Sequence, residues 1–425
     1  MRHRLRSLIY GPIFKGSLLV SGLIFTGSFF NYLFNMVMGR MLGPADYGIL
    51  AALLSIVYVL SVFSSSVQVV NARYTALYQA EKAEAKIAVL FREMNKKMFW
   101  LSAIFFLIIF SLSPFMAKFL NIPSNKTVMI FSLLFLVTFL APVNRGILQG
   151  LKRFFYFAVS FPLESGIKLL SGILLVYLGF GVNGAAIAPF LGVSLAYFII
   201  MIPLIKLFKE KREKFKPSWR EMIAYTRPVF LTTLGLSGFL IFDVFLVKHY
   251  FSPYEAGLYA ALSLMGRIIF FITGPINQTM FPLVVESYQK KKNYLKLLLD
   301  AFFLVCLLSA AVLLIYYFFP NLSIKLIFGS KYLAISPYLL FFGFTMFMYS
   351  VGNVLVYYFL ATQRTMIYLI PCFFSLLLIG LIILFHQSIW QVVWVQVLTN
   401  TLFFISTLIF YFVKRRNKAA ASLSS

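Results

Sequence analysis

The sequence predicts an all-α integral membrane protein of about 12 transmembrane helices, built as two six-helix bundles related by a pseudo-two-fold axis along the membrane normal. Three observations carry this reading. Of 425 residues, 61% are hydrophobic and only 12% are charged, whereas a soluble domain carries about 25% charged residues. The charges cluster and leave apolar windows the length of a bilayer crossing. Part of the sequence also repeats itself at about half the chain length. So much apolar surface cannot be hidden in one water-soluble core, which excludes a soluble enzyme, a disulfide scaffold and a disordered chain.

The windows fix the elements in order. Between Lys15 and Arg40 lie 24 residues without a charge, between Asp46 and Arg73 26, and between Lys97 and Lys118 20. A helix rising about 1.5 Å per residue crosses roughly 30 Å of hydrocarbon once over such a length. The first three spans are placed at 16–39, 48–72 and 98–117. The next three are placed at 127–150, 154–178 and 184–205, the last two parted by the break Gly179-Phe180-Gly181-Val182-Asn183-Gly184. Spans seven to ten follow at 227–249, 256–285, 297–319 and 335–361. The eighth is long for one crossing, and its last turns near Pro282 and Glu286 are expected to project into water. Residues 365–413 run 49 residues without Lys, Arg, Asp or Glu, and His386-Gln387-Ser388 divides them into spans 366–385 and 389–413. The domain division is a half at 1–210, a basic cytoplasmic linker at 211–226, a half at 227–413 and a cytoplasmic tail at 414–425.

Orientation follows from the basic residues. With the N-terminus inside, the inner segments hold 29 Lys and Arg and the outer segments 6. That alternation is the positive-inside pattern and puts both termini in the cytoplasm of a multi-pass protein of the cytoplasmic membrane. It also accounts for the net charge of +26 without nucleic acid, whose binding needs a solvated basic face. The connecting loops are short and leave no room for an extramembrane catalytic domain. Cys306 and Cys372 sit in apolar runs and read as packing residues.

The repeat pairs Gly48-Ile49-Leu50-Ala51-Ala52-Leu53 with Gly257-Leu258-Tyr259-Ala260-Ala261-Leu262, and at the same offset Pro44 matches Pro253 and Gln68 matches Asn277. The copies begin before spans two and eight. Six crossings is an even number, so the two halves share one orientation and are expected to enclose a cavity at their interface.

Three stretches resemble a known family. Gly39-Arg40-Met41-Leu42-Gly43-Pro44-Ala45-Asp46-Tyr47-Gly48 resembles the loop between spans one and two of the polysaccharide-biosynthesis transporters. These are the O-antigen-type oligosaccharide flippases of the superfamily that also holds lipid II flippases and multidrug extruders. Ser252-Pro253-Tyr254-Glu255-Ala256-Gly257-Leu258-Tyr259 resembles the matching region of the second half, and Leu148-Gln149-Gly150-Leu151-Lys152-Arg153-Phe154 the exit of span four. Many members have fourteen spans, against twelve here. The resemblance implies a flippase that moves a polyprenyl-diphosphate-linked oligosaccharide from the inner to the outer leaflet by alternating access. The implied partners are that lipid-linked oligosaccharide, membrane lipids and other glycan-assembly proteins. No cofactor is implied beyond a coupling ion, Na⁺ or H⁺. The alternative within the superfamily is an ion-coupled multidrug exporter, and a membrane-embedded glycosyltransferase is a third reading. With no Walker loop, metal-ligand spacing or nucleophile elbow, the chain is not expected to be an enzyme.

Ionisable groups inside spans are the candidate substrate-binding residues. Arg267 is placed first for the diphosphate, because a guanidinium is a planar fork of donors matched to phosphate oxygens. The rival reading pairs it with Asp243 on the neighbouring span. Glu164 and Lys168, four apart on one helix face, read as a self-neutralising pair, and Arg145 as a residue that snorkels to the inner surface. Asn31, Asn35, Gln68 and Asn277 either bind sugar hydroxyls or join helices by hydrogen bonds. The interior tally is three bases (Arg145, Lys168, Arg267) against three acids (Glu164, Asp243, Asp300), and a drug exporter is expected to be more acidic.

Overall fold

The computed structural model describes residues 12–209, 230–290, 295–362 and 365–423. The linker 211–226, Arg364 and the side chains of Pro282, Glu286 and residues 414–425 lie outside that description. All regular structure among the described residues is helical. The chain divides into two units, Met1–Arg227 and Pro228–Ser425.

In the first unit, α1 runs Pro12–Ala80 as two helices joined at Gly43, whose φ of 76° and ψ of 175° interrupt the helical geometry. Only glycine takes that conformation at little cost, and Pro44 then suits the first turn of the second piece. The sequence Gly43-Pro44 thus ends one crossing and starts the next. α2 is Glu84–Ser111. It begins well before the expected span at 98, because the charged stretch ahead of Lys97 is itself helical. α3, Asn125–Gly150, is one apolar segment assembled from three short helical pieces that end at Ser132, Thr138 and Gly150. α4 is Phe154–Leu175 and α5 is Gly181–Met201, separated by a π-turn with Gly179 at φ 90° and Gly181 at φ 53°.

The second unit holds α6 (Phe230–Gly238) and α7 (Phe242–Tyr250), bent by 44° to each other. The sequence predicts one unbroken span here. A turn closed by Leu240 N–H to Ser237 C=O interrupts it. Gly238 lies where a Cβ would stand 1.8 Å from Ser375 Oγ, so the chain hugs the neighbouring helix at the break. α8 (Pro253–Gln289), α9 (Leu295–Phe318), α10 (Ser336–Ala361), α11 (Leu369–Leu384) and α12 (Ile389–Leu423) complete the unit. Among the described residues nine helices, plus the bent pair, are long and apolar enough to cross a membrane. Two of the nine, of 61 and 54 residues, each contain one of the glycine breaks and supply two crossings. The total agrees with the twelve spans of the sequence.

The two units pack internally in the same pattern. In the first, α1 packs on α3 and α4, and α4 and α3 on α5; in the second, α8 packs on α10, α6 and α7 lie against α11, and α11 and α10 pack on α12. Span for span these are corresponding pairs, as two copies of one six-helix design require. Large apolar side chains such as Leu170, Phe198, Phe303 and Leu376 remain exposed, which is where lipid supplies the solvent.

Candidate functional site

Five of the nine candidate residues converge on one cavity of about 320 Å³ inside the first unit. Asn31 comes from the first half of α1, Gln68 from its second half, Arg145 from α3, and Glu164 and Lys168 from α4. Close backbone approach holds these helices together. A Cβ on Gly27 would lie 2.7 Å from Phe161 Cβ, one on Gly146 2.5 Å from the Gln68 carbonyl oxygen, and one on Gly192 2.5 Å from that of Glu164. Any larger residue at these positions forces the walls of the cavity apart.

The charges are paired differently from the sequence expectation. Glu164 accepts from Arg145 at 2.5 Å, across from α3 to α4, instead of pairing with Lys168 along its own helix. Arg145 does not snorkel. Its Nε donates to Ser160 Oγ at 2.9 Å and its guanidinium lies 4.3 Å from the centre of the Phe161 ring. Lys168, only 8% exposed, donates to Asn31 Oδ1 and sits 4.4 Å from the Phe34 ring centre. The physical reason is reach and satisfaction. An i,i+4 pair would leave Arg145 buried with no counter-charge, and a buried unpaired cation is far costlier than an ammonium held by an amide oxygen and a ring face. Asn35 is buried and donates to the Asn31 carbonyl, one turn back on its own helix. It does not line the cavity.

Sequence reasoning missed the hydroxyl lining. Ser28, Tyr58, Ser61, Ser64, Ser65, Thr138 and Ser165 all face the cavity. The signal was present: Ser61, Ser64, Ser65 and Gln68 recur at three- and four-residue spacing within an apolar span, which puts them on one helix face.

The second unit carries a separate polar cluster. Asp243, fully buried in the first turn of α7, receives hydrogen bonds from Tyr259 and Ser263, both at 3.2 Å, and from Arg267 at 3.4 Å. The helix break puts the carboxylate at a helix N-terminus, where the backbone dipole favours a negative charge. The Asp243–Arg267 pair is thus formed, and Arg267 Nε has no partner among the described residues. Asn277 is buried on α8, and its Oδ1 likewise has no partner there. Asp300 is exposed on α9.

Comparisons with known proteins agree with this architecture. A family model described as polysaccharide biosynthesis protein matches residues 37–337. An uncharacterized membrane protein of Methanocaldococcus jannaschii is 26% identical over 281 residues, which span 60% of this chain and 64% of that relative. Among solved structures, a multidrug resistance transporter of the MATE family, within the MOP superfamily, superposes with a TM-score of 0.80 at 15% identity, over 93% of this chain and 96% of that one. The lipid II flippase MurJ superposes at 0.73 and 16% identity, over 92% and 87%. At such identities these likenesses speak for the fold.

Proposed function

Because the chain belongs to the polysaccharide biosynthesis protein family, we propose that it flips a polyprenyl-diphosphate-linked oligosaccharide from the inner to the outer leaflet of the cytoplasmic membrane. A sugar head group and its diphosphate cannot enter hydrocarbon, where each unsatisfied polar group costs several kcal/mol. A protein that moves them must offer polar surface at membrane depth while the prenyl tail stays in lipid. The observation that carries the reading is the first-unit cavity, in which hydroxyls, amides and three charged side chains are assembled among apolar spans. Ionisable residues in such a place are costly even when paired, and so mark a functional site by default. Arg267 is the second point of contact in this reading. Its guanidinium remains 14% exposed while it holds the wholly buried Asp243, so an anionic group could share it.

Deletion of the gene, followed by analysis of lipid-linked saccharides by membrane face, tests the proposal. A saccharide lipid accumulating on the cytoplasmic face, and cleared by the restored gene, supports it. Unchanged saccharide lipids together with new sensitivity to cationic dyes would overturn it in favour of drug export.

A further inference from the structure

We infer that the first-unit cavity is a subsite for a single sugar ring of the lipid-linked substrate and that it excludes the diphosphate. The inference rests on the flippase reading and specifies which part of the passenger this cavity holds.

The first ground is hydrogen-bond polarity. Ser28, Ser61, Ser65, Thr138 and Ser165 each donate their hydroxyl proton to a carbonyl on their own helix, at 2.6 to 3.1 Å. A hydroxyl that has given its proton away presents only its acceptor lone pairs. The lining of the cavity is therefore rich in acceptors. Ser64 also lines it, is 7% exposed, and its Oγ has no partner among the described residues. A diphosphate is acceptor-only, and these five hydroxyls, whose protons are already committed to their own helices, offer it none. A pyranose carries several hydroxyls that donate and accept at once, and so matches both the serine oxygens and the remaining N–H groups of Arg145 and Lys168.

Charge gives the second ground. Glu164 neutralises Arg145 at 2.5 Å, which leaves Lys168 as the uncompensated charge of the lining. A single positive charge in a low-dielectric site suits at most one negative charge, such as the carboxylate of a uronic acid, and leaves a diphosphate under-compensated. Size is the third. About 320 Å³ stands at the lower end of the roughly 300–1,000 Å³ range of ligand sites, which suits one ring held inside while the rest of a saccharide extends from the opening.

The test is protection of a reporter thiol in the full-length chain, in nanodiscs. Ser61→Cys and, as an independent reporter, Ser65→Cys are alkylated with a small maleimide. The parent's own Cys306 and Cys372 give the background rate. The probes are polyprenyl diphosphate bearing one glucuronosyl residue, the same lipid bearing one glucosyl residue, the sugar-free lipid, and inorganic pyrophosphate. Both sugar lipids should slow alkylation, with the glucuronosyl form effective at about tenfold lower concentration. Pyrophosphate and the sugar-free lipid should leave the rate unchanged. Protection by pyrophosphate or the sugar-free lipid would overturn the inference, as would no protection by either sugar lipid in vesicles that still translocate them. Absence of translocation in the parent would instead count against the flippase reading itself.

Discussion

Replacing Glu164 by Gln tests the charge arrangement of the first unit directly. The variant keeps an acceptor of similar shape and removes the counter-charge of Arg145, whose side chain is 11% exposed against 30% for Glu164. Breaking a fully buried pair costs about 3–5 kcal/mol, and an exposed pair is worth about 0.2–1 kcal/mol. At this partial exposure, with the Ser160 bond and the Phe161 ring still holding Arg145, the expected loss is about 2 kcal/mol. For a unit of some two hundred residues that corresponds to a fall in melting temperature of about 4–8 °C. The assay is thermal stability of purified protein by fluorescence-detected size exclusion, run as two double-mutant cycles. Coupling of about 1–2 kcal/mol is predicted between Glu164→Gln and Arg145→Gln, and below about 0.5 kcal/mol between Glu164→Gln and Lys168→Met. Stronger coupling to Lys168 than to Arg145 would refute the pairing described here and restore the i,i+4 arrangement.

Gly43→Ala should lower stability by about 1–3 kcal/mol, since its φ of 76° and ψ of 175° are open essentially to glycine alone; an unchanged melting temperature would mean the break lies elsewhere. Gly146→Val places side-chain atoms against the Gln68 carbonyl, 2.5 Å from a Cβ, and should cut folded yield. Normal yield would show that the α1–α3 contact is looser than described. Arg267→Ala strands the buried Asp243 carboxylate and should lower both protein abundance and export. Arg267→Met with Asp243→Asn should restore abundance while export stays lost, and recovered export would remove Arg267 from substrate contact. For orientation, cysteines at Lys82 and Lys152 should react only with reagent on the cytoplasmic side and those at Lys118 and Lys325 only from outside; the reverse pattern would invert the proposed topology.

Much of the fold was legible because the bilayer imposes a length on every charge-free window. Gly43-Pro44 and the Gly179–Gly184 run announced their breaks through residue types that tolerate positive φ. The break between α6 and α7 was not announced. It coincides with a tertiary contact, Gly238 against Ser375, between helices more than a hundred residues apart. The same limit applied to the site. Arg145, Glu164, Lys168, Asn31 and Gln68 were visible as polar residues in apolar spans, but spacing along one helix favoured Glu164–Lys168. The actual partner of Glu164 comes from α3 and could be found only once the helices were packed. The serine wall was readable as a helical stripe, yet serine is common in membrane spans and the stripe acquires meaning only opposite Lys168 and Arg145.

The central claim, passage of a saccharide lipid across the bilayer by way of the first-unit cavity, is met most directly by a translocation assay in proteoliposomes. A fluorescent polyprenyl-diphosphate saccharide is placed in one leaflet and its arrival in the other is read by quencher access. The parent protein should speed transfer well above protein-free vesicles, and Lys168→Met, at equal reconstituted amount, should slow it at least tenfold. Transfer no faster than in protein-free vesicles, or identical rates in the parent and Lys168→Met, would contradict the account.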